Sequence, residues 1–148
     1  MVIDELTRKQ CSEFLGRTSL GRLACSAGDQ PYIVPLVFAH DDAKYLYSMA
    51  TFGQKIEWMR ENPKVSVLFD EIVGESHWTS VVVNGVYEEL AGPRFEDERE
   101  QARKLLANRQ SWWQIPFAER QTKTAEQLIE PVFFRIEITS MSGLRARP

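Results

Sequence analysis

The chain switches several times between a helical hydrophobic period and a two-residue one, and the switch points divide it into elements. Near the start, Cys11, Phe14 and Leu15 recur at helical spacing. Thr7 and Gln10 stand at capping-box spacing before them, and Gly16 is a good stop, so a short amphipathic helix opens the chain. LGRLACSA (20–27) then reads as a strand, Gly28-Asp29 as a tight turn, and Pro31 to Ala39 as a second strand rich in Ile33, Val34, Leu36, Val37 and Phe38. Pro31 and Pro35 have no N–H to give to a ladder, which predicts an edge, a bulge or a bend at each. His40-Asp41-Asp42-Ala43 turns the chain into a third strand at Tyr45, and the three strands are expected to form an antiparallel meander.

From Tyr45 to Asp70 two strands flank one short helix. Thr51 or Gly53 starts that helix, Ile56 and Met59 with Phe52 give it an apolar stripe, and Asn62-Pro63 ends it after about ten residues. Val65 to Phe69 forms the next strand, and the following EIVGESH reads as a loop. Trp78 to Leu90 is a long strand whose interior Gly85 predicts a bulge or a close approach by another group. Pro93 suits the first turn of a helix with Phe95, Ala102, Leu105 and Leu106 as apolar positions and a run of charges as its solvated face. The stretch from Asn108 to Gln127 has the least regular pattern. It carries Trp112, Trp113 and Phe117, too much aromatic area to leave in water, so either the chain's own surface or a partner subunit covers it. PVFFRIEITS (131–140) alternates cleanly and closes the fold as a strand. About six strands and two or three helices result, and antiparallel strands with a glycine bend favour a small barrel over a parallel sheet.

Composition narrows the class. With 148 residues, 43% hydrophobic and 26% charged, and no repeat or linker, the chain is expected to make one domain over 1–148. Cys11 and Cys25 fall in a predicted helix and a predicted strand, which favours buried free thiols and a reducing cytoplasm. No apolar run is long enough to cross a bilayer, and a net charge of -3 argues against nucleic acid as a partner.

The candidate chemistry gathers between Tyr47 and Lys55. Ser48 and Thr51 offer hydroxyls, Gly53 lets backbone approach a ligand closely, and Lys55 is a cation in the first helical turn, where N–H groups also point outward. Together they suggest a phosphate cradle. The spacing matches neither a nucleotide-triphosphate loop nor a dinucleotide fingerprint. His40 and His77 stand far apart and away from any CxxC pair, so no zinc motif is present, and a GxSxG elbow is also missing.

Four segments in order give the chain a family likeness: GRLACSAGDQPYIVPLVF, YLYSMATFGQKIEWMRENPKVSVLFDE, SVVVNGVYEEL and FFRIEITSMSGLRA. Their order and spacing resemble the flavin-binding split-barrel family of pyridoxamine 5'-phosphate oxidase, and within it the subset similar to nitroimidazole-resistance proteins. The resemblance implies a mainly β fold with flanking helices, a six-stranded antiparallel split β-barrel that holds FMN at the interface of a homodimer. It places the isoalloxazine against Pro35, Leu36 and Val37, and the phosphate at Ser48, Thr51 and Lys55. Tyr47, Ser80, Trp113 and Arg145 are the further cofactor contacts implied, with the partner subunit supplying some from its strands and tail. Tyr47 stands where nitroimidazole-resistance proteins often carry a histidine, and a phenol is not a proton shuttle near neutral pH, so that reduction is not carried over. The basic residues that grip substrate phosphate in the oxidases proper are also missing. What the resemblance leaves is an FMN-dependent oxidoreductase acting on a small molecule or electron donor. The other reading is a non-catalytic carrier of a flavin, or of haem or a deazaflavin on the same scaffold.

Overall fold

A computed structural model describes residues 1–41, 44–109 and 131–148. The elements run β1 (Val2–Glu5), α1 (Arg8–Arg17), β2 (Leu20–Ala27), β3 (Gln30–Val37), β4 (Ala39–His40), β5 (Tyr45–Ala50), α2 (Gln54–Glu61), β6 (Lys64–Gly74), β7 (His77–Glu89), α3 (Glu96–Ala107) and β8 (Val132–Arg147). A 3-10 turn, Pro93–Phe95, leads into α3. One antiparallel sheet in the order β3-β2-β6-β7-β8-β5-β4 curls round the core without closing, and β1 pairs beside the far half of β8. The six long strands are the expected ones, joined by the short β1 and β4.

Local signals account for most boundaries. Thr7 accepts from the Gln10 N–H while the Gln10 side chain accepts from the Thr7 N–H, so the capping box is complete. Gly28 and Asp29 both have positive φ, +53° and +65°, which is the primed turn that suits the twist of the β2–β3 hairpin. α2 is shorter than expected, at eight residues, and Phe52 lies outside its stripe: Ile56 and Met59 are buried, whereas Phe52 is exposed.

Two expectations are corrected. β5 does not continue a meander from β3. It pairs with β4 and then with the first half of β8, Ser48 opposite Phe134, because the chain leaves the β2 ladder after β3 and β4 stands at the opposite end of the sheet. EIVGESH is not a loop either. β6 and β7 extend through it as a hairpin with Ile72 opposite Trp78, broken only by an irregularity between Ile72 and Gly74. Its apolar residues Ile72 and Val73 face solvent, so the pattern carried no buried face to announce a strand.

The main core fills the barrel with Leu23, Val67, Phe69, Val81, Val83, Phe134 and Ile136, plugged at one end by Cys11, Phe14 and Leu15 of α1. Both cysteines are free and buried. A smaller cluster of Tyr47, Leu90, Ala102 and Phe133 lies on the opposite face of β5 and β8, under α3. At the Asn84/Gly85 register shift, a Cβ on Gly85 would collide with the Glu137 carbonyl and the Ile136 side chain, so only glycine lets β8 approach there. Gly85→Ala is therefore expected to destabilise the fold by about 1–3 kcal/mol, read as a lower urea midpoint with an unchanged m-value.

Candidate functional site

The barrel is split along the outer edge of β3. In the β2–β3 ladder, Val37 stands opposite Leu20 and Pro35 opposite Arg22, while Phe38 donates from its N–H to the Ser19 carbonyl. That bond sets the parity: even-numbered residues turn their backbone groups to β2, and Pro31, Ile33, Pro35 and Val37 turn theirs to the open edge. The prolines thus sit where their missing N–H costs no ladder bond, as expected of an edge strand. Pro35 is exposed, whereas the Leu36 and Val37 side chains are buried.

Ser48 stitches this edge to β5. It is fully buried, and its hydroxyl donates to the Val37 carbonyl at 2.7 Å. The neighbouring Tyr47 points the other way, into the cluster under α3. Burial raises the pKa of its phenol, Arg135 opposes this and Asp41 adds to it. Arg135 itself lies 3.9 Å from the Tyr45 ring centre and donates to Glu88; burial works against its charge, but Glu88 and Tyr47 outweigh that and its pKa is raised. Ser48 and Tyr47, adjacent in sequence, therefore serve different faces.

Thr51, Gly53 and Lys55 come together at the start of α2, which has Gly53 as its N-cap and no side-chain cap bond. The helix lies on the β2–β3 hairpin: Trp58 meets Tyr32 edge to face at 5.6 Å, and Asn62 donates to Ser26 at 3.1 Å. Lys55, on the same stripe, is close enough to Cys25 for its charge to oppose the rise that burial imposes on the thiol pKa. Cys25 pairs with Tyr32, five residues along β3 from Val37. Thr51 and Lys55 thus flank the Gly53 cap of α2, while the Ser48 hydroxyl is given to the Val37 carbonyl.

Ser80 and Arg145 lie on β7 and β8, away from that edge. Ser80 pairs with Leu144 and lines a cavity of about 470 Å³ with Glu5, Leu6, Val82 and Met141. Arg145 stands opposite Thr79 and Asp4, one position on, so the pleat turns it to the other face. Trp113 lies outside the described residues.

One cluster escaped sequence reasoning. Arg60 of α2 donates to both Glu89 oxygens, at 2.8 and 3.0 Å, and the Tyr87 hydroxyl donates to Glu89 at 2.7 Å. Arg60 holds the Glu89 pKa below the usual carboxylate range, against burial and with help from Tyr87; burial first, then Glu89, pushes the Tyr87 phenol up. Tyr87 and Glu89 share a strand face at i and i+2, a local signal, but their partner is 27 residues away from the nearer of them in sequence and gave none.

Known proteins match this arrangement. The pyridoxamine 5'-phosphate oxidase family model covers residues 7–145. The chain belongs to that family. An uncharacterized protein of Rhizobium meliloti is 37% identical over 147 residues, which is 99% of this chain and 97% of the relative. A FAD-binding protein of Mesorhizobium loti superposes with a TM-score of 0.80 at 40% identity, covering 100% of this chain and 99% of its own. A Bacteroides thetaiotaomicron chain assigned to 5-nitroimidazole antibiotic resistance shares the fold with a TM-score of 0.67 at 14% identity, over 100% of this chain and 93% of its own.

Ser48→Ala would leave a buried carbonyl without its donor and loosen β3 from β5. A loss of about 1–2 kcal/mol is expected in chemical denaturation, with Ser48→Thr recovering less than half because its methyl group has no room at a fully buried site.

Proposed function

We propose that the protein binds a flavin nucleotide along the open edge of β3 and works as an FMN-dependent oxidoreductase on a small molecule. The observation that carries the reading is the likeness, over the whole chain and at 40% identity, to a FAD-binding protein. The local geometry fits the group. At one end of the edge, Pro35 offers a carbonyl acceptor and Val37 an N–H donor, the complement of the N–H and C=O that sit side by side on the pyrimidine rim of an isoalloxazine. Lys55, the Thr51 hydroxyl and the first N–H groups of α2 suit a phosphate, which the ribityl chain would carry away from the ring. The flavin would supply the electron chemistry, and the protein binds it, orients its rim and neutralises its phosphate. FMN is the form proposed, since one cation and one helix turn match a single terminal phosphate. FAD, with the same ring and ribityl, is what extraction and chromatography of the bound nucleotide would show if this is wrong. In this reading Ser48 shapes the ring end through Val37 instead of touching the phosphate, and Tyr47 remains a wall residue behind it.

We also propose that the working unit is a homodimer. The outer face of β6, β7 and β8 carries Val82, Val86 and Leu144 exposed around the hydrogen-bonded row Ser66, Asn84 and Ser140, and no described helix covers it. Ser80, which shares this face with Val82 and Leu144, would reach the flavin only across such an interface. Sedimentation at micromolar concentration is expected to give twice the 17.1 kDa chain mass, and a monomer that still holds flavin would contradict it.

The phosphate assignment is tested by titrating FMN and riboflavin with fluorescence detection. Lys55→Ala should lose about ten- to a hundredfold in FMN affinity and leave riboflavin unchanged, because a charge-assisted hydrogen bond contributes about 1.5–3 kcal/mol and riboflavin has no phosphate. Gln54→Ala should bind both as the wild type does. An equal loss of both ligands in Lys55→Ala would place the phosphate elsewhere.

A further inference from the structure

The loop from Thr51 to Gly53 presents the groups assigned above to the phosphate, yet neither a side-chain cap nor a buried side chain fixes it. Its one large residue, Phe52, lies over the Arg60 guanidinium at 5.0 Å from the ring centre. The same guanidinium is held in its plane by both oxygens of Glu89, which the Tyr87 hydroxyl braces from the barrel wall. A planar fork bound edge-on to a carboxylate leaves its face free to stack, and only arginine can do both at once. Tyr87, Glu89, Arg60 and Phe52 thus form a continuous strut from β7 to the loop.

We propose that Arg60 is a positioning residue of the flavin-phosphate site, ordering the Thr51–Gly53 loop by stacking under Phe52 while Glu89 fixes its plane. The proposal rests on the phosphate reading for its purpose, but not for its physical content. The alternative is an ion pair that only fastens α2 to the barrel, and the two part on whether Phe52 matters. Arg60→Lys keeps the charge but loses the bidentate bond and the flat face, so it should behave as Arg60→Ala does. Phe52→Tyr keeps the ring and should behave as the wild type.

Two readouts on the full-length protein decide it. In the ligand-free state, backbone amide order parameters of Phe52 and Gly53 should drop from about 0.85 to below about 0.6 in Arg60→Ala and in Phe52→Ala, with α2 itself unchanged from Ile56 onward. In titrations, each variant should lose about tenfold in FMN affinity and keep its riboflavin affinity, and the double variant should lose no more than either single one. Losses that multiply in the double variant, or order parameters that stay at the wild-type value in Arg60→Ala, would overturn the strut. If Lys55→Ala keeps full FMN affinity, the phosphate reading fails, and a rigid loop in Arg60→Ala overturns the strut separately while a loosened one upholds it as a loop-ordering device.

Discussion

The constraint on which this structure turns is that β3 cannot be paired along its outer edge. Pro31 and Pro35 remove donors from the positions whose backbone faces outward, so a ladder to β5 could never be completed, and the sheet wraps the core while leaving a seam. An open edge normally invites another strand, and here it is handled by the two prolines and by a side-chain bond from Ser48 to the Val37 carbonyl. What remains is a strip of backbone with few donors and a fixed set of acceptors, rigid because its other edge is fully bonded to β2. Such a strip can read a planar heterocycle's rim without contributing any reactive side chain.

The rest of the fold serves that strip from behind. Glycine at 85 lets β7 and β8 approach closely enough to turn the barrel, and the Asn84/Gly85 irregularity sets where they do so. α2 rides on the β2–β3 hairpin through Trp58, Tyr32, Asn62 and Ser26, which fixes its N-terminal turn relative to the same edge. The polar cluster of Tyr47, Arg135 and Glu88 lies on the far side of β5 and packs under α3, so its perturbed ionisation is a consequence of anchoring a helix to the wall and not of chemistry at the seam.

The parts legible in the sequence were those whose signal is local. The capping box at Thr7, the positive-φ turn at Gly28-Asp29, the two edge prolines and the bulge glycine each need only a few neighbouring residues to act, and each stands where the pattern put it. Family membership was readable too, from the order of four segments that are individually loose. What failed depended on long-range pairing. Nothing near Tyr45 says that β8, nearly ninety residues on, is its partner in place of β3. Ile72 and Val73 are solvent-facing in a protruding hairpin, so their strand lacked the alternation that burial imposes. At the site, Ser48, Thr51 and Lys55 looked like one cradle because they lie within eight residues. The structure shows the Ser48 hydroxyl buried and donating to the Val37 carbonyl, a bond across eleven residues, and the Arg60 strut was invisible because its members are scattered from 52 to 89.

The central claim is that a flavin nucleotide lies along the β3 edge with its ring toward Val37 and its phosphate toward Lys55. Backbone amide chemical shifts followed during an FMN titration test it most directly, since the two ends report separately. The account predicts large shifts at Ile33 and Val37 and at Gly53 to Lys55, with the second group silent when riboflavin replaces FMN. Shifts confined to the cluster of Tyr45, Tyr47 and Arg135 under α3, with the β3 edge unmoved, would contradict it.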